Sequence, residues 1–504
     1  MIAMKRLSQT FFLLLFIYVL WSTTYPLTGV LKPDVLFKAD PLIMIVTSIS
    51  ERVLLPGIIF SFCMIGISII LGRFFCGWVC PLGSAIDMAG ALKRKRRQLT
   101  DRANAAIRKV KFCILGIFFI LALFGKQLAW IFDPIVIMGR FVSLNLIPFT
   151  TSAVNSFFII LIKYLNLGEP VLDIYRALRP TILGVKIYYF AHAWAIFLFF
   201  LLICAASLAV SRFWCRSLCP LGALYALSAK IAPLRRTVEK CTKCGYCKSR
   251  CRTGAIKDDM DYSSGECILC MDCVYDCPAH VTRFKFVLPG SMKKEGINKE
   301  DGSGPKMSRK NFLLFLLGLF SILGAKFEGN SENKNSQIIR PPAALEEEDF
   351  LTRCVRCGNC MKVCPTNALH PVMFQLGLEG IWTPQLIPEI GYCEYHCTLC
   401  GQTCPTGAIK ALGEQQKLKV KLGSAQVDQS TCLPWAKGVE CIVCQEHCPV
   451  AEKAIKLDTY GHGPARPYVD EYLCVGCGIC QNKCPVRPVR AIRVSPKGAD
   501  RPKA

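Results

Sequence analysis

Six groups of four cysteines account for most of the 31 cysteines in this 504-residue chain. Four groups share the spacing Cys-x2-Cys-x2-Cys-x3-Cys: Cys241/Cys244/Cys247/Cys251, Cys267/Cys270/Cys273/Cys277, Cys354/Cys357/Cys360/Cys364 and Cys474/Cys477/Cys480/Cys484. Two are variants: Cys393/Cys397/Cys400/Cys404 opens with one extra residue, and Cys432/Cys441/Cys444/Cys448 opens with a longer gap. Thiolates this close on a tight loop wrap one cubane, so the pattern predicts six [4Fe-4S] clusters with these cysteines as metal ligands. A proline follows the last cysteine in five groups; Arg252 stands in that place after Cys251. A disulfide framework belongs to short secreted chains, and zinc prefers two separated Cys-x-x-Cys knuckles, so neither fits. In two-cluster ferredoxins the fourth cysteine of each run serves the other cluster. That predicts Cys277 with Cys241, Cys244 and Cys247, and Cys251 with Cys267, Cys270 and Cys273. For the last four groups the pairing is sequential or nested.

A second cysteine pattern is an internal repeat. Gly72-Arg73-Phe74-Phe75-Cys76-Gly77-Trp78-Val79-Cys80-Pro81-Leu82-Gly83 matches Ser211-Arg212-Phe213-Trp214-Cys215-Arg216-Ser217-Leu218-Cys219-Pro220-Leu221-Gly222. Cys76, Cys80, Cys215 and Cys219 form a candidate cofactor-binding group, able to ligate a further cluster or act as a thiol pair. The alternative is two structural loops with inert thiols. Cys63, Cys113 and Cys204 lack partners at ligand spacing and read as core residues.

Hydropathy shows what must position these groups. Hydrophobic residues make up 52% of the chain and charged ones 19%, and long uncharged runs concentrate in residues 1–230. Runs at 11–25, 53–71, 112–132 and 188–210 read as four membrane spans. Lysines and arginines bunch beside them, as in Lys93-Arg94-Lys95-Arg96-Arg97, which the positive-inside bias explains. The net charge of +25 therefore does not point to nucleic acid, whose binding signatures are absent. Basic residues after the second and fourth of these runs put both ends in the cytoplasm, so residues 142–165 read as a re-entrant or interfacial segment on the outer face. A polar linker leads to the short apolar run 312–325, read as a fifth, in-to-out span. The expected fold is thus an α-helical membrane domain with α+β ferredoxin-like domains. Its boundaries are residues 1–232 for the membrane part, 233–287 for a cytoplasmic two-cluster part, 288–350 for the linker, and 351–504 for an extracytoplasmic four-cluster part. Oxidation of a quinol also needs proton acceptors, and His192 and Asp133, beside the fourth and third spans, are the candidate catalytic groups.

The hairpin repeat with two Cys-x3-Cys-Pro-x-Gly loops, followed by two cysteine quartets, resembles the NapH-type membrane ferredoxins. Related architecture occurs in nitrous oxide reductase accessory proteins and cytochrome oxidase assembly ferredoxins. The remainder is similar to NapG and MauM-type extracytoplasmic polyferredoxins, so the chain looks like a fusion of the two. The resemblance implies a quinol dehydrogenase component of the bacterial inner membrane. It would pass electrons from menaquinol or ubiquinol through its clusters to a periplasmic reductase or cytochrome c. One departure is Arg309-Lys310, where the leaders that export folded proteins carry two arginines. A competing expectation is an assembly or maturation factor that reduces metal or thiol centres of another respiratory enzyme; a third is a ferredoxin anchor without a quinone site.

Overall fold

The computed structural model describes residues 2–25, 27, 31–91, 100–163, 168–178, 188–239, 241–260, 262–287, 338–458 and 463–503. Helix α1 (Ile2–Trp21) is an apolar rod of 20 residues, about 30 Å long. Helix α2 (Pro41–Glu51) starts where the Asp40 carboxylate accepts the Leu42 and Ile43 amides, with Pro41 in the first turn, where no amide is needed. Helix α3 (Ile58–Leu71) leads to the first Cys-x3-Cys loop, and α4 (Pro81–Ala91) begins directly after Cys80. Helix α5 (Asp101–Leu123), capped by Thr100, stops at Gly125, whose φ of 73° lets the amides of Gly125 and Lys126 bond back to Ala122 and Leu121.

Helix α6 (Pro134–Lys163) repeats the start of α2, because Asp133 accepts the Ile135 and Val136 amides and Pro134 follows. Helix α7 (Ala193–Ala209) leads to the second loop, and α8 (Pro220–Ala229) begins after Cys219, whose sulfur accepts the Gly222 amide at 3.2 Å. The repeat thus extends beyond the loops. Each half has a long helix, an Asp-Pro helix, an apolar helix, a Cys-x3-Cys loop and a Cys-Pro helix.

Short antiparallel pairs frame the cysteine runs. Strands β1 (Leu234–Val238) and β2 (Thr282–Phe286) enclose the first two quartets in sequence. Then β3 (Leu369–Pro371) pairs with β4 (Pro384–Leu386). Of β5 (Ser424–Val427), β6 (Ile455–Asp458), β7 (Arg466–Val469) and β8 (Ile492–Ser495), the first pairs with the last and the middle two pair together.

The cysteine-rich parts occupy opposite ends of the helices. Near the start of α1, Gln9 bonds the Gly77 carbonyl and Asp87; just past its end, the Thr23 carbonyl accepts Lys362. In α5, Lys111 bonds Glu266, while the Gly125 carbonyl past its end accepts the Thr352 hydroxyl. Before α7, Ala191 donates to His370, and past its end Arg212 bonds Asp87 and Cys76. Residues 241–287 therefore cover a basal end and residues 338–503 a distal end.

Several expectations change here. Among the described residues, two helices are long and apolar enough to cross a membrane, Ala3–Trp21 and Pro134–Lys163. The other expected spans are helices of 14 residues (α3), 23 residues with charged residues in its first half (α5), and 17 residues (α7). The segment at 142–165 is no separate re-entrant piece; most of it continues the 30-residue α6 through a π-helical turn at Val142–Leu146. The turning back from the distal end happens earlier, between Gly125 and Leu144, which packs on Gly358 of the distal part. Cys63 is exposed on α3 instead of packed in a core. The apolar run at 312–325, its Arg309-Lys310 leader and the linker at 288–337 lie outside the described residues.

Candidate redox centres

At the distal end the cysteines surround four cavities. Cys354, Cys357, Cys360 and Cys404 line one. Cys364, Cys393, Cys397 and Cys400 line the next. Cys474, Cys477 and Cys480 join Cys448 around the third, and Cys432, Cys441 and Cys444 join Cys484 around the fourth. Each cavity takes three sulfurs from one run and the fourth from its partner run. The pairing is sequential, third run with fourth and fifth with sixth, an alternative that spacing alone left open. These donor sets fit cubanes, which want four thiolates around an enclosed apolar space. Burial pushes the Cys444 and Cys477 thiols up to about 12, so any metal bound there displaces thiol protons.

At the basal end, Cys251 lies within electrostatic reach of Cys267, Cys270 and Cys273, the crossed arrangement expected from spacing. Cys241, Cys244 and Cys247 also approach one another, with Cys241 and Cys244 exposed. Arg252 is fastened where the other runs carry proline: its guanidinium meets Asp272 at 2.6 Å and Asp87 of α4 at 2.9 Å. Burial would raise the Asp87 carboxyl, but Arg212 and Arg252 hold it well below the usual carboxylate range.

Between the ends, the two loops bring Cys76, Cys80, Cys215 and Cys219 together, all buried. Each repeat contributes an arginine to the other. Arg73 reaches the Cys215 carbonyl and Arg212 the Cys76 carbonyl at 2.7 Å, and both arginines are 1% exposed. Arg73 continues to Glu266, which also takes Lys111 at 2.7 Å. The loop also abuts the basal run: Trp78 donates to the Leu269 carbonyl at 2.9 Å, and a side chain at Gly77 would strike the Ile268 carbonyl. One continuous buried cluster then connects Cys270, the four loop cysteines and Cys357 of the distal end. Four sulfurs beside two buried guanidinium groups suit an anionic centre, whether a cluster or a thiolate pair.

The two proton-acceptor candidates have different settings. His192 is exposed at the start of α7, flanked by the exposed rings of Tyr189 and Trp194. Asp133 is wholly buried, and its carboxyl meets that of Asp40, the cap of α2. Asp40, Arg73 and Arg212 are the site residues that spacing rules did not single out. The repeat carries the missing signal, since Asp40-Pro41 and Asp133-Pro134 are matched dipeptides ahead of the two loops.

A family model described as a 4Fe-4S binding domain matches residues 53–98 and 192–239, each containing one Cys-x3-Cys loop. A second model with the same description matches residues 350–370 and 467–490. Among curated relatives, the methylamine utilization ferredoxin-type protein MauM of Methylorubrum extorquens is 35% identical over 33% of this chain and 77% of its own length. The ferredoxin-type protein NapG of Haemophilus influenzae is 32% identical over 41% of this chain and 75% of its own. NapF of the same organism is 33% identical over 35% of this chain and 89% of its own. No solved structure matches.

Proposed function

Since the chain belongs, over about a third of its length, to the ferredoxin-type 4Fe-4S electron-transfer proteins of the MauM and NapG kind, we propose that it conducts electrons across a membrane. In this reading the electrons start on membrane quinol and leave to a periplasmic reductase or cytochrome c. The observation that carries it is the placement of cysteine quartets at both ends of a helical bundle, with four further cysteines between them. Helix α1 would span the bilayer of a bacterial inner membrane with α3, α5 and α7 packed alongside it, the basal end facing the cytoplasm and the distal end the periplasm. Lysines and arginines sit at the basal ends of these helices, as the positive-inside bias requires.

The six quartets would hold [4Fe-4S] clusters, which when bound supply one-electron storage. The chain's own residues do the rest. Crossed fourth cysteines hold paired centres close; Arg73 and Arg212 balance negative charge at the loop cysteines; buried apolar packing excludes water along the path. His192 at the distal rim and Asp133 in the interior would receive protons released by the quinol.

The test is sidedness together with reduction. Reporters active on one side only, fused after Ala504, should show the distal part outside, and a menaquinol analogue should bleach the iron–sulfur absorbance of the purified protein. A cytoplasmic C-terminus sinks the membrane-crossing path. Clusters that stay oxidised with quinol would leave an assembly role, in which electrons reach metal or thiol centres of another enzyme.

A further inference from the structure

The matched Asp-Pro helices start from a paired site, of which the proposed function uses only Asp133. Asp40 and Asp133 are both 0% exposed. Each spends Oδ1 on its own helix, Asp40 at 3.0 Å from the Leu42 amide and Asp133 at 2.8 Å from that of Ile135. The second oxygen of each, Oδ2, is buried with no bond to any donor among the described residues. The two carboxyls themselves lie within hydrogen-bond reach of each other. Two acceptor-only carboxylates cannot bond, so a hydrogen must lie between them.

The electrostatics give the same count. Each helix start presents roughly half a positive charge. Two such ends balance about one negative charge, which is a carboxyl pair holding one proton. The other groups facing the pair are Arg140, on the same helix as Asp133, and Tyr225 of α8. Arg140 is engaged elsewhere, with the Trp130 carbonyl at 3.2 Å and the Trp382 ring at 4.1 Å. Tyr225 is 1% exposed, its hydroxyl has no hydrogen-bond partner among the described residues, and it lies within electrostatic reach of Asp40, Asp133, Cys76 and Cys80.

We propose that Asp40 and Asp133 form a proton-loading site: they share one proton between their carboxyls and bind a second when an electron arrives at the four loop cysteines. The electron and the proton both come from the quinol of the proposed reaction. One quinol O–H bond breaks as the carboxyl O–H bond forms, the electron passes to the redox centre that the loop cysteines would carry, and the buried region gains no net charge. Tyr225 is the polar group within electrostatic reach of both the carboxyl pair and the loop cysteines Cys76 and Cys80. The coupling rests on the electron-transfer reading of the loop cysteines; the shared proton does not.

The two parts are tested separately on the full-length protein in lipid nanodiscs. Infrared spectra at neutral pH should show the carbonyl band of a protonated carboxyl, shifted by exchange into heavy water. Asp40→Asn and Asp133→Asn should each abolish it, since asparagine still caps the helix but leaves no pair. A wild-type spectrum without that band overturns the shared proton, whatever the variants do. For the coupling, the centre lost spectroscopically in Cys76→Ser should titrate in wild type with a midpoint falling by about 59 mV per pH unit, one proton per electron. A midpoint independent of pH overturns the loading step. If Cys76→Ser removes no redox signal, the electron-transfer reading of the loops fails while the carboxyl band still decides the pair.

Discussion

The two ends of the molecule attach to the same helices by different means. The basal end docks through buried charge: Glu266 gathers Arg73 and Lys111, and Arg252 joins Asp272 to Asp87. Among the described residues the distal end docks through main-chain acceptors and two ion pairs, Arg353 with Glu51 at 2.8 Å and the exposed Lys126 with Glu379 at 3.0 Å. Exposure of the sulfurs runs the other way. Cys241 and Cys244 are open to solvent at the basal end, whereas every distal cysteine is buried or half-buried. A buried ion cluster tolerates little movement, because separating its members strands charges in an apolar setting. The basal part is thus fixed to the bundle and open to its surroundings; the distal part is closed around its sulfurs and more lightly held.

Three experiments sharpen or break this contrast. Cys404→Ala should have the largest effect. It should abolish the centre that also contains Cys354, Cys357 and Cys360, while the centre of Cys393, Cys397 and Cys400 keeps Cys364. Mössbauer or electron paramagnetic resonance spectra that lose the second centre instead would refute the crossed pairing. Next, Glu266→Ala leaves buried Arg73 and Lys111 without their carboxylate, at a cost of about 3–5 kcal/mol. Protease protection of residues 241–287 should fall while the distal part stays intact; equal protection of both would erase the contrast.

The smallest effect belongs to the distal part's own clasp. Burial would raise the Glu347 carboxyl, but Arg340 and Arg501 hold it below the usual glutamate range. A lowered native value means that this stabilisation is complete above the unfolded pKa, near about 4.3, and is lost as pH falls through the native one. Melting of the distal part should be more acid-sensitive in wild type than in Glu347→Gln, with about 1.5–3 kcal/mol at stake near neutral pH. Parallel pH profiles would show that the clasp contributes nothing.

Much of the site was legible in the sequence because ligand spacing is local. Three cysteines of each run share one loop, so their grouping needs no tertiary knowledge. The source of each fourth sulfur at the distal end did, since Cys404 and Cys364 exchange places across a fold that spacing does not describe. Hydropathy located the apolar helices but misjudged where the chain turns. It counts apolar residues and is blind to direction, so it ran the third span past Gly125, where the backbone ends α5 and doubles back. Asp40 escaped notice because one carboxylate ahead of a proline reads as a helix cap, which it is. Its second role depends on Asp133 in the other repeat, and only the fold brings the two together.

The arginine that replaces proline after Cys251 bears on how the molecule is made. Asp87 is completed by Arg212 and Arg252, and Arg73 by Glu266, all supplied by chain that leaves the ribosome much later. Contacts this distant in sequence form slowly. Until residue 266 emerges, the first loop carries partly desolvated charges without their partners, and the helical half waits for the basal cysteine runs before it can close. Biogenesis is therefore ordered by charge: the part that holds the loop cysteines is finished only when its neighbour is already in place.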